Sequence, residues 1–296
     1  MNDNHTPSLL AGRRLCFVGA GSMAEAIFRG LIERRLVEPA AISVVNRANN
    51  ERLRELNETY GVQFAEEPAR KDQLIRSADI VVLAMKPKDA GAGIGRVASL
   101  ISERQLVVSV LAGVSIATIE TLLGGPRPIA RTMPNTSSTI GLGASGVSFS
   151  GSVSGEQREI ALALFRAVGI AVEVEERQLE IVTGVSGSGP AYIYYMMEAM
   201  IAAGVQGGLT PEASRELTIQ TVLGAGEMVR VTGEDPAELR RKVTSPNGAT
   251  QAAIEKLDAH HFTAGVISAV HRSADRSREM GDELAAKYVP AAGKQG

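Results

Sequence analysis

The sequence predicts an α/β fold in two parts: a mostly parallel sheet covered by helices on both faces, then an all-helical tail. Three observations carry that prediction. Short β-branched runs alternate with helix-like segments through the first half. A glycine fingerprint stands at the first strand-to-helix junction. After about residue 176 no further strand run is convincing, and long segments rich in Ala, Met, Leu and Glu take over. Near-continuous apolar strands between helices are the signature of a buried parallel sheet.

The elements follow in order. "RLCFVG" (14–19) is a short apolar run ending in glycine, and "MAEAIFRGLIERRL" (23–36) has helical spacing of apolar residues. "ISVVN" (42–46), "DIVVLAM" (79–85), "LVVSVL" (106–111), "PIARTM" (128–133), "ASGVSF" (144–149) and "IAVEV" (170–174) read as further strands. The tail divides into helices near 190–206, 211–231, 236–242, 249–257 and 262–286. Pro190, the Thr210–Pro211 pair and the Asp235–Pro236 pair mark helix starts, since proline suits the first turn and a hydroxyl or carboxylate caps it. The 190–206 helix is apolar nearly all round, which calls for burial on every side, here against a second subunit. Two domains result: 1–176, Rossmann-like and dinucleotide-binding, and 177–296, all-α.

Composition removes several function classes. The net charge of −2 offers no basic field for nucleic acid or anionic lipid, and 4% aromatics without Trp disfavour base stacking. The start of the chain lacks a basic region followed by a long apolar core, and the most apolar later segment (191–205) is too short to span a bilayer and carries Glu198. One cysteine, Cys16, lies in a core strand; a reducing compartment fits it, and a cytoplasmic protein is expected. A cysteine nucleophile is disfavoured on the same ground. A metal site is not expected either: His5, His260, His261 and His271 give no chelating spacing.

The fingerprint is G-x-G-x-x-A, formed by Gly19, Gly21 and Ala24. The first glycine permits the turn, the second lets backbone approach a pyrophosphate, and the small Ala24 lets helix and strand pack closely. The helix start, Ser22, Met23 and Ala24, then faces the phosphates. At the end of the second strand stand Asn46 and Arg47 rather than an acid. A neutral amide does not repel a 2′-phosphate and a guanidinium can pair with it, so NADPH is preferred, with NADH as the alternative. The competing reading of Arg47 is a solvated loop residue. Ala84, Lys86 and Pro87 close the 79–85 strand at the sheet edge where ligands bind; for Lys86 a surface ion pair is the equal alternative.

Two glycine-rich stretches punctuate the tail: "TGVSGSGPAY" (183–192) and "VTSPNGAT" (243–250). Each places small residues and free amides at a helix start, where anions bind. Taken with "VGAGSMAEAI", "AMKP" and the run "PAELRRKVTSPNGATQAAIEKLD" (236–258), the whole chain resembles the pyrroline-5-carboxylate reductase family. Asn247 stands where many members carry Gly, and Lys71 where many carry an Asn near the cofactor ribose.

The resemblance implies reduction of Δ1-pyrroline-5-carboxylate, a cyclic imine bearing a carboxylate, to L-proline, the last step of proline biosynthesis. It implies Thr250 as the hydroxyl contacting the ring nitrogen, and Ser245 with the amides around Asn247, Gly248 and Ala249 as the carboxylate cradle. It further implies a homodimer through the helical domain, with a decamer of five such dimers among the family's assemblies. Two rivals stay open at this point: a reductase of similar build acting on another imine or a hydroxyacid, and an NADPH-binding regulator without turnover.

Overall fold

The computed structural model describes residues 9–288. Eight strands form one sheet: β1 (Leu15–Val18), β2 (Ile42–Val45), β3 (Gln63–Phe64), β4 (Ile80–Leu83), β5 (Leu106–Ser109), β6 (Ile129–Met133), β7 (Gly143–Phe149) and β8 (Gly169–Glu173). Their order is β3-β2-β1-β4-β5-β6-β7-β8. Neighbours run parallel except β6 and β7, which are antiparallel. Every strand expected from the sequence is present. The two-residue β3 is additional; a half-polar pair gives no periodic signal.

Helices α1 (Ser22–Glu33), α2 (Asn50–Tyr60), α3 (Pro68–Ser77), α4 (Ala90–Val97), α5 (Ile116–Leu123) and α6 (Gly155–Arg166) connect the strands. Strand alternation feeds two cores. Leu15, Phe17, Ile42, Val44, Ile80 and Val82 face Phe28 and Leu31 of α1, Leu53 of α2 and Phe165 of α6. Cys16, Val45, Val81, Leu83 and Val107 face Ile75, Ile94 and Ile119 of α3, α4 and α5. β2, β4 and β5 are thus buried at every residue, which is why their sequences are apolar but for the buried Ser43 and Ser109. Burial also pushes the Cys16 thiol up to about 11, a small hydrophobe and not a nucleophile.

The remaining helices are α7 (Leu179–Val182), α8 (Gly189–Gln206), α9 (Pro211–Thr232), α10 (Pro236–Lys242), α11 (Ala249–Ala259) and α12 (Phe262–Tyr288). The expected caps are in place. Thr210 accepts from the Ala213 amide at 3.2 Å, and Asp235 from the Ala237 amide at 2.7 Å. α9 ends at Gly233 in the left-handed conformation, φ 66°. Where α8 meets α9, the Ser214 hydroxyl donates to the Ile201 carbonyl at 2.9 Å and occupies the space a side chain at Gly204 would need.

The chain divides into two compact units, one comprising Met1–Gly187 and Arg272–Gly296, the other Ser188–His271. The end of α12 therefore belongs with the sheet. There Gly281 crosses so close to Gly113 that a Cβ would strike the Gly113 carbonyl, and a Cβ on Gly91 would enter the Tyr288 ring. Among the described residues no helix is long and apolar enough to cross a membrane.

Candidate active site

The first unit carries the glycine turn between β1 and α1. β1 runs into Gly19 at φ 122°, a conformation that side chains rarely adopt. A Cβ there would lie 2.5 Å from the Ala84 carbonyl oxygen. The Gly19 amide donates to Val45 at 2.9 Å, and the Ala84 amide to Val18 at 3.0 Å. Three strand ends are thereby clamped around one loop. Gly21 is the N-cap of α1, with extended backbone and no capping side chain, and open space where its Cβ would be. The amides of Ser22, Met23 and Ala24 lie in the first helical turn, where no intrahelical acceptor exists. Ala24 itself is buried in the core. This is a donor set and a vacancy in side-chain bulk that fit a pyrophosphate.

A polar network missed by sequence reading braces this turn from behind. Glu25, in the first turn of α1, accepts from the Tyr60 hydroxyl at 2.8 Å and pairs with Arg52. Arg52 also reaches the Ala20 carbonyl at 3.4 Å and pairs with Glu55 at 2.6 Å. Burial first, then the Glu25 carboxylate, hold the Tyr60 phenol above its ordinary value. No spacing rule links Glu25, Arg52 and Tyr60; only the sheet brings α1 and α2 together.

The end of β2 carries the predicted Asn46 and Arg47. Asn46 is half-buried, and Arg47 is exposed without an ion pair or hydrogen bond among the described residues. The Lys71 ammonium of α3 donates to the Asn46 carbonyl at 2.9 Å. Beyond β4, Ala84 is half-buried, while Lys86 and Pro87 are exposed and open a short 3₁₀ turn. Lys86 makes no ion pair among the described residues, so the surface-bridge alternative has no partner.

The end of β6 holds a second constellation. Arg131, with a side chain 6% exposed, pairs with Glu176 at 3.1 Å and Glu180 at 2.8 Å. Glu176 also accepts from the Ile116 amide at 2.7 Å. The Asn135 side-chain amide donates to Ser186 at 3.0 Å and accepts from the Ala144 amide at 3.1 Å. Residues Thr183–Gly187 form a π-helical turn, a feature concentrated at functional sites. A Cβ on Gly187 would lie 2.7 Å from the Met133 methyl. The "TGVSGSG" stretch is thus a docked turn on the strand ends and not a loose helix cap.

The second unit carries the stretch 243–250. Asn247 sits at φ 61°, a left-handed residue that asparagine tolerates. Its amide donates to the Gln251 side chain at 2.9 Å, and the Gly248 amide donates to Ser245 at 3.0 Å. Gly248 is the N-cap of α11 without a capping side chain. The amides left without an intrahelical acceptor are therefore those of the first α11 turn, Ala249, Thr250 and Gln251. The hydroxyls of Ser245 and Thr250 are exposed and make no hydrogen bond among the described residues. By contrast Thr244 is turned back onto the Arg240 carbonyl at 2.7 Å.

His260 caps α11 and His261, at φ 56°, turns the chain into α12, so the pair lies at a helix junction and not along a helix. His5 lies outside the described residues. Among the described residues no group of three His, Cys, Asp or Glu side chains gathers.

Comparison with known proteins places this architecture. A reductase from Pseudomonas aeruginosa is 41% identical over 92% of this chain and 98% of its own, and is a pyrroline-5-carboxylate reductase. The chain belongs to the pyrroline-5-carboxylate reductase family. It is an oxidoreductase with a Rossmann-like nucleotide domain and a helical region. The family model for pyrroline-5-carboxylate reductase dimerisation matches residues 176–280, and one for NADP oxidoreductases that are coenzyme F420-dependent matches 14–113. The solved pyrroline-5-carboxylate reductase of Coxiella burnetii superposes with a TM-score of 0.84 at 37% identity, covering 90% of this chain and 98% of that one. The Plasmodium falciparum enzyme, solved with NADP bound, gives 0.79 at 27% identity, covering 91% and 98%.

Proposed function

We propose that this oxidoreductase reduces Δ1-pyrroline-5-carboxylate to L-proline, with NADPH preferred over NADH. The observation that carries the reading is the start of α11: two unengaged hydroxyls and uncapped amides, in a stretch with no titratable side chain. A cyclic imine bound in its protonated form already has an electrophilic carbon. Reducing it neutralises a cation, whereas reducing a carbonyl creates an oxyanion, so neither an oxyanion hole nor a strong side-chain acid is required.

When bound, the nicotinamide supplies the hydride. The protein's residues supply position and dryness. The Ala249 and Thr250 amides, with the Ser245 hydroxyl and the turn at Asn247 and Gly248, hold the carboxylate. The Thr250 hydroxyl accepts from the ring N–H and fixes the ring face. Gly19, Gly21 and the amides of Ser22, Met23 and Ala24 hold the pyrophosphate. Ala84, Lys86 and Pro87 border the nicotinamide ribose, and Asn46 with Arg47 reads the adenosine ribose and its 2′-phosphate.

In this reading residues 1–176 serve the cofactor, and 177–296 serve dimerisation and the substrate. Exposed apolar side chains on the second unit support a homodimer built there; light scattering distinguishes that dimer from a decamer of five dimers. A cytoplasmic setting suits the single reduced cysteine.

The test is Thr250→Ala. Turnover falls by about 100-fold while NADPH affinity stays at the wild-type value, since a positioned hydrogen-bonding group contributes about that much. Steady-state kinetics beside calorimetric NADPH titration check it; wild-type turnover in the variant removes Thr250 from the mechanism.

A further inference from the structure

The end of β2 carries more positive charge than the sequence pattern of this site indicates. Lys71 lies in the first turns of α3, 24 positions beyond Arg47 in the chain, yet its ammonium is pinned 2.9 Å from the Asn46 carbonyl oxygen. That carbonyl is the first beyond the strand. In a doubly wound sheet this strand end is where the adenosine ribose of a dinucleotide lies. An ammonium has three donors, and one bond to Asn46 leaves two.

The neighbouring cations differ. Arg52 is paired with Glu25 and Glu55, and Arg54 with Glu66. Lys71 and Arg47 have no carboxylate partner among the described residues. Two unneutralised cations therefore flank one half-buried amide. A ribose 2′-hydroxyl gives neither a reason to be there; a 2′-phosphate, carrying close to two negative charges, gives both.

We propose that Lys71 is a second 2′-phosphate-reading residue, acting with Arg47, and that it sets the preference for NADPH. The inference rests on the NADPH reading above. The bond to Asn46 holds the ammonium in place before the cofactor arrives, so little side-chain freedom is lost on binding.

The test is calorimetry on the full-length protein, which has no Trp to report binding. NADPH, NADH, adenosine 2′,5′-bisphosphate and 5′-AMP are titrated into the wild type and into Lys71→Gln. Loss of a charge-assisted contact weakens NADPH and the bisphosphate by about 10- to 100-fold. NADH and 5′-AMP change less than about twofold, because they lack the phosphate. Lys71→Arg keeps most of the discrimination, and the salt dependence of NADPH binding becomes shallower in Lys71→Gln. Equal weakening of phosphorylated and unphosphorylated ligands overturns the inference and leaves Lys71 as a brace for Asn46. No weakening at all also overturns it. Wild-type protein that binds neither dinucleotide overturns the cofactor reading itself.

Discussion

In the sheet-bearing unit Phe17, Phe28 and Phe165 are wholly excluded from solvent, whereas in the helical unit Tyr195, Val231 and Leu217 stand 78%, 67% and 60% exposed. Both units are rich in apolar residues, but they place them differently. Across Ser188–His271 the only buried residues are Ser214 and Thr218, both polar. α8 has 18 residues, mostly apolar, and buries none of them. The first unit closes its own core on both sheet faces. The second has helices with proper caps and no core of its own. Stability of a helix comes mainly from packing its apolar face, so the helical unit calls for a second copy of itself. Large exposed apolar surface in a single chain is the mark of an interface.

The largest expected effect breaks that interface. Tyr195→Asp places a charge in an interface that a single chain leaves open, and costs about 5 kcal/mol of association, within the range of interface hot spots. Sedimentation then shows monomers, and the wild-type Tm, but not that of the variant, rises with protein concentration. A variant that stays dimeric with unchanged Tm removes α8 from the interface.

Gly19→Ala strikes the other unit. The added Cβ meets the Ala84 carbonyl at 2.5 Å on backbone at φ 122°, at a cost of about 4 kcal/mol in strain and overpacking. Thermal unfolding and NADPH titration should both report it, with the dimer intact. Undiminished NADPH binding contradicts the pyrophosphate reading of this turn.

The smallest effect concerns Cys16 and tests how dry the first core is. Its thiol is raised to about 11 from an ordinary 9.0, chiefly by burial. The folded state then keeps its proton where the unfolded state loses it. The contribution is complete below pH 9 and is lost as pH rises toward 11, about 2 to 3 kcal/mol in all. Unfolding by denaturant across that range measures the slope, and Cys16→Ala flattens it. An unchanged slope in that variant means that solvent reaches the thiol.

The same contrast explains what the sequence made legible. The central strands announced themselves because burial on both faces forces short apolar runs, as in "IVVL" of β4. Capped helix starts at Thr210 and Asp235 were equally local. β7 turning antiparallel to β6 has no compositional sign, because strand direction is set by connections and not by residue type. The π-helical turn at Thr183–Gly187 read only as glycine-rich, since its spacing depends on docking against Met133. Arg131 found its carboxylates 45 and 49 residues away, and Lys71 its carbonyl 25 away; such pairs exist only once the chain is folded. At 243–250 the helix start, the turn and the hydroxyls were legible. That Gln251 occupies the Asn247 amide was not, because it depends on one rotamer of the following helix.

The most direct measurement is NADPH oxidation by the purified protein with Δ1-pyrroline-5-carboxylate, run beside NADH and beside the six-membered cyclic imine. Turnover is expected with the five-membered ring, with one proline formed per NADPH consumed and slower turnover with NADH. NADPH bound with no proline formed contradicts the assignment of α11 as a carboxylate-and-imine site, and leaves a nucleotide fold whose chemistry lies elsewhere.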